Sequence, residues 1–63
     1  MNKLESDILK ILQEDCRVSP AELAVMLARE ETEVSAAVAE MERRGVIVKY
    51  TAIVNNEALE DEL

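Results

Sequence analysis

The chain has 63 residues, 49% hydrophobic and 33% charged, with a formal net charge of −7. It holds one cysteine, Cys16, no histidine, and Tyr50 as its sole aromatic residue, which excludes an intramolecular disulfide, a zinc site of the usual kind and an aromatic core. A chain this short buries only about 60% of the surface its unfolded form exposes, so support from a partner subunit or a neighbouring domain is expected. The first predicted element is a helix over residues 3–15. Leu4, Ile8, Ile11 and Leu12 follow the spacing of one helical face, and Leu9 widens the stripe. Asn2 followed by Glu5 has the form of a capping box.

The second helix has the clearest start signal. Ser19 can cap, Pro20 suits the first helical position and Glu22 stands at the third. Leu23, Met26 and Leu27 form its apolar face, with Ala24 small enough for close approach, and the pattern lapses at "AREE". The third helix is expected over residues 32–44. Val34, Ala37, Val38 and Met41 share one face, Arg43 and Arg44 suit the negative end of the dipole, and Gly45 marks the stop. Glu30 is a poor cap, which leaves that work to Thr32.

"VIVKYTAIV" is β-branched and aromatic, and it reads as a strand or small wing. Val46, Val48, Tyr50, Ala52 and Val54 would share one face, and Ile47, Lys49, Thr51 and Ile53 the other. Asn55-Asn56 ends it, and residues 56–63 read as an acidic tail. The expected organisation is therefore a mainly α, three-helix domain over residues 1–55 with a C-terminal strand or small wing.

Two short helices joined by a turn, "SPAELAVMLAREETEVSAAVAEMERRGVI", have the outline of a helix-turn-helix. On the third helix the outward positions are Glu31, Thr32, Ser35, Ala36, Ala39, Glu40 and Arg43. Thr32 and Ser35 can hydrogen-bond to base edges, while Ala36 and Ala39 can touch thymine methyl groups. Arg43, Arg44 and Lys49 could hold the duplex backbone. Glu31, Glu33 and Glu40 repel phosphate, although glutamates in the first turn also match the helix dipole. The charge is unfavourable throughout: residues 1–55 carry −3, and residues 56–63 add −4. Arg17 beside Asp15 reads as a structural pair. Lys3 and Lys10 read as solvated, Cys16 as a small buried filler, and Met26 and Met41 as core. Tyr50 is expected to lay its ring on the core with the hydroxyl exposed.

Catalysis has almost nothing to stand on. The sequence has no histidine base, no glycine-rich phosphate loop and no metal cluster, so neither an enzyme nor a cofactor is expected. No apolar run is long enough to span a membrane, and a lone cysteine without an export signal fits a cytoplasmic protein.

"LESDILKILQEDCRVSPAELAVML", then "GVIVKYTAIVN", resembles the N-terminal winged helix-turn-helix of the Lrp/AsnC family of bacterial and archaeal transcription regulators. The resemblance covers residues 4–55 and rests on Ile8-Leu9 through Leu12, Asp15 with Arg17, Ser19-Pro20 with Glu22-Leu23-Ala24, and Gly45-Val46-Ile47 with Tyr50. It implies a domain that binds double-stranded DNA, acts as a homodimer, and leads into an effector-binding αβ domain that this chain lacks. Departures fall where function would lie, on the recognition helix and just before it. The family usually has serine at Glu30, an apolar residue at Arg29, and polar or basic residues at Ala36, Ala37 and Ala39. The leading expectation is thus the DNA-binding domain of a regulator. The second is a helix-turn-helix fold kept as a protein-interaction or dimerisation module.

Overall fold

The computed structural model describes residues 1–52, 54 and 55, and three helices form in chain order: α1 (Lys3–Glu14), α2 (Pro20–Leu27) and α3 (Glu31–Arg43). Both expected capping boxes are present. Asn2 Oδ1 accepts from the Glu5 amide at 2.8 Å, and Glu5 Oε1 accepts from the Asn2 amide at 3.1 Å. Ser19 Oγ accepts from the Glu22 amide at 3.2 Å, and Glu22 Oε1 accepts from the Ser19 amide at 3.0 Å. Each box satisfies two amides that the start of a helix would otherwise leave unpaired.

Helices α2 and α3 end with one bond pattern. After α3, the Gly45 amide donates to the Glu42 carbonyl at 3.1 Å and the Val46 amide to the Met41 carbonyl at 2.9 Å. After α2, the Ala28 amide donates to the Val25 carbonyl at 3.3 Å and the Arg29 amide to the Ala24 carbonyl at 2.9 Å. Both are Schellman closures, which require a left-handed residue. Gly45, at φ 77°, fills that post in one, and Ala28, at φ 55°, fills it in the other.

The core gathers Leu4 and Ile8 from α1, Leu23 and Ala24 from α2, and Val34 and Met41 from α3. Leu12, Val18, Val38 and Ile47 pack around it. Each helix therefore buries one apolar stripe against the other two, and the missing aromatics are replaced by aliphatic side chains and a methionine.

Several expectations need correction. Met26 is 59% exposed rather than core. Two turns of helix can bury only one stripe, centred on Leu23, Ala24 and Leu27, and Met26 lies roughly 100° around the helix from that centre. Helix α3 starts at Glu31, so Thr32 is inside it and does not cap; the N-cap is Glu30, which makes no side-chain cap bond. Cys16 is half-buried rather than buried, with Sγ donating to the Thr51 carbonyl at 3.1 Å. Tyr50 is 44% exposed, and its hydroxyl is not free but donates to Glu42 Oε2 at 3.0 Å. Lys3 is solvated as expected, and also pairs with Asp7 at 3.1 Å.

Residues 46–52 form no strand. A strand exists only through a ladder partner, and among the described residues no second strand is available to pair with this one. The side-chain alternation survives in part: Ile47 packs on the core while Val46, Val48, Tyr50 and Val54 are exposed. Ile53 and the expected acidic tail, residues 56–63, lie outside the described residues.

Candidate nucleic-acid interface

Helix α3 presents two opposite faces. Val34 and Met41 are fully buried, with Ala37 and Val38 half-buried beside them. At 3.6 residues per turn, Thr32, Ala36, Ala39 and Arg43 fall on a single line on the far side, and all four are exposed. Four of the seven expected contact residues are thus collected into one stripe. Ser35 stands on its flank, half-buried, where it lines a groove with Leu12, Cys16, Leu23, Val38 and Tyr50.

The expected basic cluster is split. Arg44 turns towards α1, where its Nη2 donates to Glu5 Oε2 at 2.5 Å. The Glu5 side chain is 9% exposed and that of Arg44 is 42% exposed, so the contact joins a nearly buried carboxylate to a partly wetted guanidinium. Glu5 therefore caps α1 and anchors the end of α3 at once. Lys49 follows Gly45 in the extended segment and lines a second groove against the C-terminal half of α1. It is exposed and makes no ion pair among the described residues.

Carboxylates border the stripe on both sides. Glu33 and Glu40 run along one edge, and Glu31 and Glu42 along the other. Two of them grip arginines in forks. Arg29 donates to Glu33 through Nε at 2.8 Å and Nη2 at 2.7 Å. Arg43 donates to Glu40 through Nε at 3.0 Å and Nη2 at 2.5 Å. The hydrogen bond from Arg29 holds the Glu33 carboxyl below the usual carboxylate range, and that from Arg43 does the same for Glu40; both guanidiniums are pushed up in return. Arg17 Nε lies 3.8 Å from Asp15 Oδ1, which also accepts from the Arg17 amide at 3.0 Å, so the expected pair is present in the loop after α1.

The i, i+4 spacing of Arg29 and Glu33 and the i, i+3 spacing of Glu40 and Arg43 carried the signal for these forks. Glu5 with Arg44 is separated by 39 positions and left no local trace. No cluster of histidine, cysteine or carboxylate side chains that could hold a metal ion occurs among the described residues. No helix among them is long and apolar enough to cross a membrane.

Three packed helices, a short turn and an outward-facing stripe on the last helix define a helix-turn-helix module. A family model described as winged helix-turn-helix DNA-binding matches residues 1–48, and the chain belongs to that family. It is similar to an uncharacterized HTH-type transcriptional regulator of Pyrococcus abyssi and to one of Pyrococcus horikoshii, each 37% identical over 54 residues. Those alignments cover 86% of this chain and 33% of either relative, so the chain spans about a third of the length of the curated relatives it matches. The crystal structure of PH0061 is also similar, with a TM-score of 0.90 and 25% identity over 94% of this chain and 40% of that one.

Proposed function

We propose that the chain is the DNA-binding part of a transcription regulator of the Lrp/AsnC kind, with α3 lying in the major groove. The observation that carries this reading is the exposed stripe of Thr32, Ala36, Ala39 and Arg43, directly opposite the buried face of α3. Thr32 and the flanking Ser35 offer hydroxyl groups to base edges, and Ala36 and Ala39 offer methyl groups to thymine. Arg43 and Lys49 supply phosphate contacts. Arg44 acts mainly through Glu5, by fixing where α3 ends. Such a contact set is weak. Its natural setting is a cytoplasmic homodimer, in which a second half-site raises the effective concentration, with an effector-binding domain forming the remainder of a longer protein.

A second reading, a protein-interaction module, is favoured by the carboxylates on both edges of the stripe and by Val25, 82% exposed, beside Met26 on α2.

Fluorescence-anisotropy titration against mixed-sequence duplex DNA, at low and then physiological salt, separates the two. The expected result is salt-sensitive binding by the parent chain that is lost in the Arg43→Gln/Lys49→Gln variant. Arg44 is left in place because its removal would disturb Glu5. An absence of binding even at low salt, or binding indifferent to both substitutions, would overturn the assignment.

A further inference from the structure

The geometry points to Glu40 as an internal competitor for phosphate: its carboxylate occupies the Nε/Nη2 fork of Arg43 that a phosphate of DNA could otherwise take. This inference rests on the DNA-binding reading of α3 and adds to it what sets the affinity.

A guanidinium presents five N–H groups in a fork geometry, and a carboxylate and a phosphate each take a parallel pair of them in the same bidentate way. Arg43 already spends Nε and Nη2 on Glu40. It is also the single cation on the exposed stripe of α3, the other members being a threonine and two alanines. A duplex docking on that stripe must therefore either displace Glu40 from this fork or take the remaining Nη edge of Arg43 beside a carboxylate that repels it. The exchange gains little, because the cations released from the DNA phosphate are offset by the negative charge that Glu40 regains when it loses Arg43. Arg44 is a weaker second partner for Glu40, with its Nε 3.9 Å from Glu40 Oε1 and its Nη2 held by Glu5. An exposed pair of this kind is weak, so the competition is a modest bias rather than a block.

The same reasoning separates Glu40 from the other carboxylates along α3. Glu33 is committed to Arg29, in the turn before the helix, and Glu42 accepts from the Tyr50 hydroxyl. Neither occupies a cation of the stripe.

The experiment is a double-mutant cycle of Glu40→Gln and Arg43→Gln, titrated against mixed-sequence duplex DNA and, in parallel, against heparin. Glutamine keeps the side-chain length and the helix while removing the charge. Expected is a roughly two- to five-fold gain in affinity for Glu40→Gln, with a salt dependence steeper by about one counterion. In the Arg43→Gln background that gain should disappear. An equal gain with and without Arg43 would mean simple relief of net charge and would overturn the proposal, as would no gain on either polyanion. An Arg43-dependent gain on heparin alone would uphold the competition by Glu40 and count against the DNA reading instead.

Discussion

Ala28 occupies a backbone post that favours glycine. Its φ of 55° completes the closure of α2, as Gly45 at φ 77° completes that of α3. A left-handed conformation costs an L-residue about 1 kcal/mol or more, whereas glycine adopts it freely but loses more entropy on folding. Ala28→Gly is expected to gain about 0.5–1 kcal/mol on balance. A urea midpoint that falls instead would show that the Ala28 methyl contributes more than the backbone strain costs. Arg44 shows the reverse case, a surface arginine with an interior duty. Replacing it by glutamate sets two carboxylates against each other beside the nearly buried Glu5. Breaking a fully buried pair costs about 3–5 kcal/mol; with Arg44 partly exposed, Arg44→Glu should cost about 1–3 kcal/mol. Glu5→Gln, which keeps the cap bond, should cost less. An unchanged midpoint for Arg44→Glu would refute the anchoring role.

Among the elements, the helices were legible in the sequence because their signals are local. Ser19-Pro20 with Glu22, and Asn2 with Glu5, each place their bonds within four residues, and the structure holds both boxes at those positions. Met26 was misplaced because periodicity tells which residues share a face but not how narrow a stripe a two-turn helix can bury. The segment after Gly45 was legible only in its composition. β-branched residues suit a strand, yet pairing depends on a partner that local sequence does not specify. What fastens this segment to the bundle is instead Ile47 on the core, the amides of Val46 and Ile47 on the Met41 carbonyl, and two side-chain bonds, Tyr50 to Glu42 and Cys16 to the Thr51 carbonyl. Burial first, and then the bond to Glu42, push the Tyr50 phenol above its usual value of about 10. A group whose folded pKa is raised contributes stability that is complete below its unfolded pKa and lost as pH rises through the folded one. The Tyr50 contact should therefore hold at neutral pH and release only above about pH 10. Ultraviolet absorbance reads this directly, since Tyr50 is the sole aromatic residue. Glu42→Gln should bring the midpoint back towards that of a free tyrosine, and an unshifted midpoint in the parent chain would contradict the contact.

For the molecule as a whole, the candidate interface was legible in its position and not in its state. Outward residues of α3 follow from the 3.6-residue period once the buried face is known, so Thr32, Ala36, Ala39 and Arg43 could be named in advance. That Arg44 would be drawn across to α1 could not, because the fold alone brings Glu5 beside it. The acidic balance of the chain has a local form as well. Among the described residues every arginine is within an ion pair with a carboxylate, and Lys10 and Lys49 are the lysines outside one. A salt titration of DNA binding should therefore show a slope well below that expected from a count of arginines.

The small aliphatic core has a thermal consequence. A folded unit of this size has a heat-capacity increment on unfolding of only about 0.8–0.9 kcal/mol/K and an unfolding enthalpy near 60 °C of roughly 45 kcal/mol. Its melting should be broad and its stability curve shallow. The same shallowness makes Tm a sensitive gauge, with each 1 kcal/mol moving it by about 4–8 °C. A bound partner at a hundred times its Kd should raise Tm by roughly 10–20 °C, so heating this domain beside a candidate duplex or protein would report binding without any label.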